Sequence, residues 1–171
     1  MQRIRQGVSA LLAFAREVDY DLAAHYLTPQ QLALFKQMAR AEQLHSLNVL
    51  RDVLSQTDDT PQDLAVAALM HDVGKSKRHL SVAQKTASVL VKRFAPALEE
   101  RLTAQERTDF WHAPFTVRRY HPKWSAELLA EVGASEGSIW LARHHQDDAT
   151  KWADHPNYAL LLRLQAADDA N

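Results

Sequence analysis

The chain has 171 residues, 46% hydrophobic and 24% charged, enough for one domain that buries about 70% of its unfolded surface without a covalent staple. Twenty Lys and Arg against 21 Asp and Glu give a formal net charge of -1, so no general basic field draws it to nucleic acid or an anionic membrane. Cysteine is absent, which excludes disulfides, thiolate nucleophiles and cysteine-bound zinc, and nine histidines leave imidazoles and carboxylates as the available metal ligands. Four glycines, six prolines and few alternating β-branched runs predict an all-α fold.

Arg3 and Arg5 precede an apolar stretch, Val8 to Ala15, that superficially mimics an export signal. Ile4, Val8, Leu11, Ala15, Val18 and Leu22, however, continue one helical stripe through the supposed cleavage point, and the block falls far short of the ~20 residues a membrane span needs. Residues 1–27 are expected to form a helix packed on a domain of residues 28–171, and the protein to stay in the cytoplasm with no membrane partner.

Thr28-Pro29-Gln30-Gln31 is a helix start, with a hydroxyl cap, proline at the first helical position and glutamine three residues after the cap. The helix is predicted to run to about Ser55, with His45 on the same inner stripe as Leu34, Met38, Ala41 and Val49. Thr60-Pro61-Gln62-Asp63 repeats the start signal, and a buried helix to Val73, ended by Gly74, should follow. Its apolar run, Leu64 to Met70, delivers His71 and Asp72 side by side. Burying an imidazole and a carboxylate costs several kcal/mol unless something satisfies them, and the simplest partner for both is a metal cation.

Further helices are predicted over Leu80 to Phe94 and Leu98 to Arg107. Phe110 to Phe115 lacks a clear period and reads as an irregular lid near the site or an aromatic plug over the core. His121-Pro122 is expected to open a helix ending at Glu131-Val132-Gly133, and Ser135 to cap the next, which reaches His144-His145. Asp147, Asp148 and Asp154 read as solvated loop charges. A last helix, Asn157 to Ala170, places Asp168 on a stripe with Leu161 and Leu164. No repeat, low-complexity tract or linker divides the chain.

Read in order, His45, His71-Asp72 with the following Gly74-Lys75, and Asp168 resemble the signature of the HD-domain superfamily of metal-dependent phosphohydrolases. His121 and His145 resemble the extra pair of its two-metal branches, and the resemblance spans roughly Thr28 to Asn171. It implies a single-domain helical bundle around a divalent metal site of two ions, drawn from Mn, Fe, Co, Ni, Zn or Mg. The first would be held by His45, His71, Asp72 and Asp168, with Asp72 bridging to a second completed by His121 and either His144 or His145. Helical period does not choose between those neighbours; the two-metal relatives favour His145, and the cyclic-dinucleotide branch uses both.

The resemblance further implies attack of a metal-bound hydroxide on a small, nucleotide-like phosphate ester or anhydride, with Asp72 and Lys75 catalytic. Lys75 matches a lysine that contacts phosphate in relatives. Arg118 and Arg119, beside His121, are candidate phosphate clamps or exposed loop charges, while His25, His79, His112 and His155 have no place in the pattern. The cyclic-dinucleotide branch carries a glycine-tyrosine-proline stretch where this chain has Gln146-Asp147-Asp148-Ala149-Thr150, and an acid where it has Ala41. Both departures count against cyclic di-GMP cleavage and a third metal. The interval from Asp72 to His121 is long, so the pocket roof should be this protein's own. Two other classes share the ligand set: a di-iron oxygenase, and a sensory or binding module without turnover. Nucleic-acid motifs are missing, so no duplex partner is expected.

Overall fold

The computed structural model describes residues 17–171; the apolar stripe and export-signal reading from Arg3 to Ala15 lie outside the described residues. Among those described there is no strand, and the all-α expectation holds. Among the described residues no helix is long and apolar enough to cross a membrane.

The first helix of the described residues, α1 (Tyr20–Tyr26), is capped by Asp19, whose carboxylate accepts from the Leu22 amide at 3.0 Å. Glu17 to Asp19, expected within the helical stripe that reaches Leu22, are not helical. The Thr28/Gln31 capping box opens α2 (Pro29–Phe35) as predicted, but the single helix expected to reach Ser55 is two, with α3 at Arg40–Gln56. The break is held by a buried amide: Gln43 Nε2 donates to the carbonyls of Phe35, Lys36 and Met38 at 3.0–3.3 Å, and Tyr20 donates to Gln43 Oε1 at 3.2 Å. Leu34 thus belongs to a different helix from His45, and Met38 to the link between the two.

Every residue from Leu64 to Met70 is buried in α4 (Gln62–Met70), the central helix. Thr60 does not cap it: its hydroxyl accepts from Arg163 Nη2 at 3.1 Å, and Pro61 holds the N-cap position with no side-chain cap. Nor does it reach Val73. It ends at Met70, and a 3-10 turn, Val73–Lys77, follows. Gly74 sits inside that turn and serves close packing rather than termination. A Cβ there would overlap the His121 carbonyl and lie 2.7 Å from the Ser125 nitrogen, while the Gly74 amide donates to Ser125 Oγ at 2.8 Å.

The long interval is filled by α5 (Val82–Phe94), opened by a Ser81/Gln84 capping box, and α6 (Pro96–Thr103), both packed on α7 (Ala113–Glu131). The α7 helix begins nine residues before the expected start, so His121-Pro122 lies inside it. The aromatic stretch divides accordingly: Phe110 and Trp111 are exposed on a turn, and Ala113 to Phe115 form buried first-turn positions of α7. Ser135 caps α8 (Glu136–His144) as predicted, a 3-10 turn spans Ala149–Trp152, and α9 (Tyr158–Ala170) closes the chain. Asp147 and Asp148 are exposed but not merely solvated. Asp147 accepts from His144 Nδ1 and Trp152 Nε1, and Asp148 caps the 3-10 turn.

Around α4 the core is built from Leu47, Leu50 and Val53 of α3, Leu141 of α8, and Leu161 and Leu164 of α9, with Leu129 of α7 joining them. Five helices therefore meet with ends and inner faces directed at one centre.

Candidate metal centre

His71 follows the last residue of α4, and its Nδ1 donates to the Ala68 carbonyl at 3.0 Å. His145 follows α8 and donates from Nδ1 to the Ala142 carbonyl at 2.8 Å. Carbonyls in the last turn of a helix have no partner within it, so each histidine satisfies an acceptor that its own helix leaves open. His121 reaches the same arrangement from inside α7. Pro122 has no N–H to give the Arg118 carbonyl four residues earlier, and His121 Nδ1 donates to the Arg118 and Val117 carbonyls, both at 3.0 Å. A proton fixed on Nδ1 leaves Nε2 a lone pair, the form in which imidazole binds metals.

These three Nε2 atoms are buried and without a hydrogen-bond partner, and they converge on Asp72. Asp72 Oδ1 faces His121 Nε2 at 3.1 Å and His145 Nε2 at 3.8 Å; Oδ2 faces His71 at 3.5 Å and His45 at 3.9 Å. From α9, Asp168 Oδ1 accepts from His45 Nε2 at 2.9 Å and lies 3.5 Å from His71 Nε2. The donor atoms of His45, His71 and Asp72, of His71, His145 and Asp168, and of Asp72, His121 and His145 each lie within 4.8 Å of one another. Imidazole lone pairs and carboxylate oxygens are all acceptors. Packed together in the core they repel unless a cation lies among them, so the donor set fits one or more divalent ions of the transition series.

The charges respond to this crowding. Burial opposes protonation of His71, yet Asp72 and Asp168 prevail and raise its pKa. Burial likewise opposes charge on Asp72, but His71, Lys75 and His121 hold its carboxyl well below the usual range. Asp168 is lowered against burial by its bond to His45 and by the His71 imidazole nearby. His145 is pushed down to about 3, first by burial and then by His71 and His121.

Not every sequence candidate joins this group. His144 points away: its Nδ1 donates to Asp147 at 2.7 Å and its ring packs 4.2 Å from Trp152, because one step along the helix end turns a side chain by about 100°. Lys75 places its ammonium against Asp72 Oδ2 and 3.5 Å from Glu42 Oε2, and both carboxylates raise its pKa against burial. Glu42 was not anticipated, although it lies three residues before His45 on the same helix face. A cavity of about 250 Å³ opens over Asp72 and His121, with Glu42, Lys75, Arg78 and Arg118 on its walls beside Met38 and Val117. Arg118 lines this cavity; Arg119 does not, and instead donates to Thr103 Oγ1 at 2.9 Å outside it. Of the remaining histidines, His79 lines the cavity, His25 packs edge-on to Tyr26, His112 bonds Asp109 and His155 stacks on Trp140.

Fold and site together define an all-helical protein with a buried histidine-carboxylate cluster of metal-ligand character. The sequence model of the HD domain matches residues 43–170, and the chain belongs to the HD domain family, which is typical of metal-dependent phosphohydrolases. No curated protein and no solved structure matches the chain.

Proposed function

We propose that this protein is a metal-dependent phosphohydrolase acting on a small phosphate ester or anhydride of nucleotide-like size. In this reading His45, His71, Asp72 and Asp168 hold one divalent cation, and Asp72, His121 and His145 hold a second. The observation that carries it is the trio of buried, partnerless Nε2 atoms directed at the two oxygens of one aspartate. A divalent cation bound there supplies Lewis acidity toward a phosphoryl oxygen and brings the pKa of a water close to neutrality.

The chain's own groups do the rest. The Lys75 ammonium, held between Asp72 and Glu42 on the cavity wall, stabilises negative charge on non-bridging phosphoryl oxygens. Arg118, half-buried with its guanidinium 3.4 Å from the Ser88 carbonyl, presents a planar fork that suits a phosphate in the cavity. Met38, Leu80 and Val117 give the cavity apolar walls that limit water around the reacting group.

The test is phosphate or nucleotide release by purified protein loaded anaerobically with manganese or iron(II), across mono-, cyclic and dinucleotides, beside Asp72→Ala. Release that disappears in the variant is the expected result. Silence across the panel with metal bound overturns the reading, and oxygen uptake by the iron form would replace it with an oxygenase.

A further inference from the structure

A second cleft, of about 420 Å³, adjoins the metal cavity, and Arg118 and Gln146 line both. It lies between α5 and α6 on one side, α7 on another and the C-terminal end of α8. Five of the chain's 20 Lys and Arg face it, Lys92, Arg118, Arg119, Lys123 and Arg143, against Glu99, Glu100 and Asp147. In a chain of net charge -1, cations that outnumber acids by two in one cleft make a local departure.

Lys123 is engaged beyond the cleft by Glu106 at 3.0 Å and Glu127 at 3.7 Å, which leaves Lys92, Arg118, Arg119 and Arg143 facing the three acids of the lining. Asp147 Oδ2 is occupied by His144 Nδ1 at 2.7 Å and Trp152 Nε1 at 3.1 Å, and Glu99 approaches Arg118 no closer than 3.9 Å. Arg119 is aimed rather than trailing in solvent. Its Nη1 donates at 2.9 Å to the hydroxyl of buried Thr103, which in turn donates to the Glu99 carbonyl at 2.9 Å. A guanidinium has five N–H donors in a fixed plane, so one bond to Thr103 orients the fork and leaves donors for a ligand.

We propose that this cleft binds a phosphate-class polyanion, and that the anion is the distal phosphoryl group of a substrate whose scissile phosphate lies at the metal cavity. The shared wall of Arg118 and Gln146 carries the second half, which rests on the phosphohydrolase reading; the first half does not. The preferred substrate is then one with two separated phosphoryl groups or a polyphosphate chain, rather than a single phosphate.

Two measurements on the full chain test this. In the first, thermal unfolding in EDTA is followed with inorganic tripolyphosphate on wild type, Arg119→Ala and Arg143→Glu. The melting temperature of wild type should rise, and the rise should shrink in both variants; Arg143 is exposed, so its variant folds even if loss of the Arg119–Thr103 bond weakens the other. Equal rises in all three proteins overturn the site. In the second, kcat/KM of the manganese-loaded enzyme is compared for adenosine 3′,5′-bisphosphate and adenosine 5′-monophosphate at fixed free manganese. The bisphosphate should be preferred by about tenfold or more, from one or two charge-assisted bonds, and the ratio should fall toward one in Arg143→Glu. A ratio of one in wild type, with tripolyphosphate altering monophosphate hydrolysis without competing, overturns the substrate half and makes the ligand a free polyanion. No turnover of either nucleotide, with the tripolyphosphate response intact, overturns the phosphohydrolase reading and leaves the anion site standing.

Discussion

Replacing Gly74 by alanine would drive a methyl group into the backbone of α7. The new Cβ would overlap the His121 carbonyl and lie 2.7 Å from the Ser125 nitrogen and 2.9 Å from Trp124 Cβ. Backbone atoms cannot swing aside as a flexible side chain can, so the turn after Asp72 and α7 must part. Overpacking of this kind costs about 1–3 kcal/mol. Stretching the buried bond from the Gly74 amide to Ser125 Oγ, 2.8 Å long, costs about 1–3 kcal/mol more. The combined loss, about 4 kcal/mol at the middle of these ranges, is a large share of the roughly 5–15 kcal/mol that holds a domain folded, and corresponds to about 8–16 °C in Tm for a chain of this size. Asp72 and His121, 3.1 Å apart across the same junction, must separate too, so stabilisation by added manganese should shrink in the variant. Urea unfolding in EDTA gives the first quantity, and melts with and without manganese give the second. Ser125→Ala, which removes the hydrogen bond without adding a methyl group, should cost about 1 kcal/mol and keep the metal response. A Gly74→Ala protein within about 0.5 kcal/mol of wild type, with full metal response, would refute the reasoning.

Manganese at about 100 times its Kd should stabilise the protein by about 2.7 kcal/mol, and Asp72→Asn should remove the effect; an undiminished shift would sink the shared-carboxylate arrangement. Calorimetric titration should find fewer bound cations in His145→Ala than in wild type, whereas His144→Ala, whose ring packs on Trp152, should bind the wild-type number. Acid should also weaken the metal-free fold. His145, with a folded pKa of about 3, stays neutral where the unfolded chain takes up a proton, so its contribution is fully present above about 6.5 and falls by about 1.4 kcal/mol per pH unit on acidification toward 3. His71 does not offset this loss: its pKa is raised, so its contribution is already complete below about 6.5 and is lost only as pH rises through the folded value. Urea unfolding in EDTA should lose about 2 kcal/mol between pH 6.5 and 5, and His145→Gln should flatten that slope; a flat wild-type profile would contradict it.

Much of the centre was legible because its strongest signal is local. An apolar run that ends in His-Asp announces itself, and α4 is buried along its whole apolar length. Element boundaries were less legible wherever tertiary bonds override local punctuation. Thr28 to Ser55 contains no glycine and no proline after Pro29, yet the chain breaks at Lys36 to Ala39 because the Gln43 amide, folded back from α3, binds three carbonyls there. Pro122 misled in the opposite direction. Read as a helix opener, it lies within α7, where its missing N–H is matched by an imidazole that takes the freed carbonyl. Gly74 carried a signal that was given the wrong cause, since a terminator and a close-approach glycine look alike until the neighbouring helix is known. Glu42 lay on the His45 face all along, but a carboxylate near a helix N-terminus is ordinary, and its approach to Lys75 depends on how two distant segments pack.

The three buried imidazoles reveal how a site assembled from distant parts of the chain can be held rigid. Each takes its orientation from a carbonyl three or four residues earlier on its own helix: Ala68 for His71, Arg118 and Val117 for His121, Ala142 for His145. Orientation is therefore settled locally, at a helix end or at a proline that creates an equivalent gap inside a helix. Packing has only to bring already aimed groups together, which it does through α4, α8 and the Gly74 contact with α7. His45 departs from this scheme: it lies within α3 with its Nε2 directed at Asp168, and it is about a quarter exposed where the other three are buried. Its orientation consequently depends on α9 docking against α3, through a bond between residues 123 positions apart in sequence. The half of the centre made by Asp72, His121 and His145 is the rigid half, and the half completed by His45 and Asp168 depends on the C-terminal helix being in place.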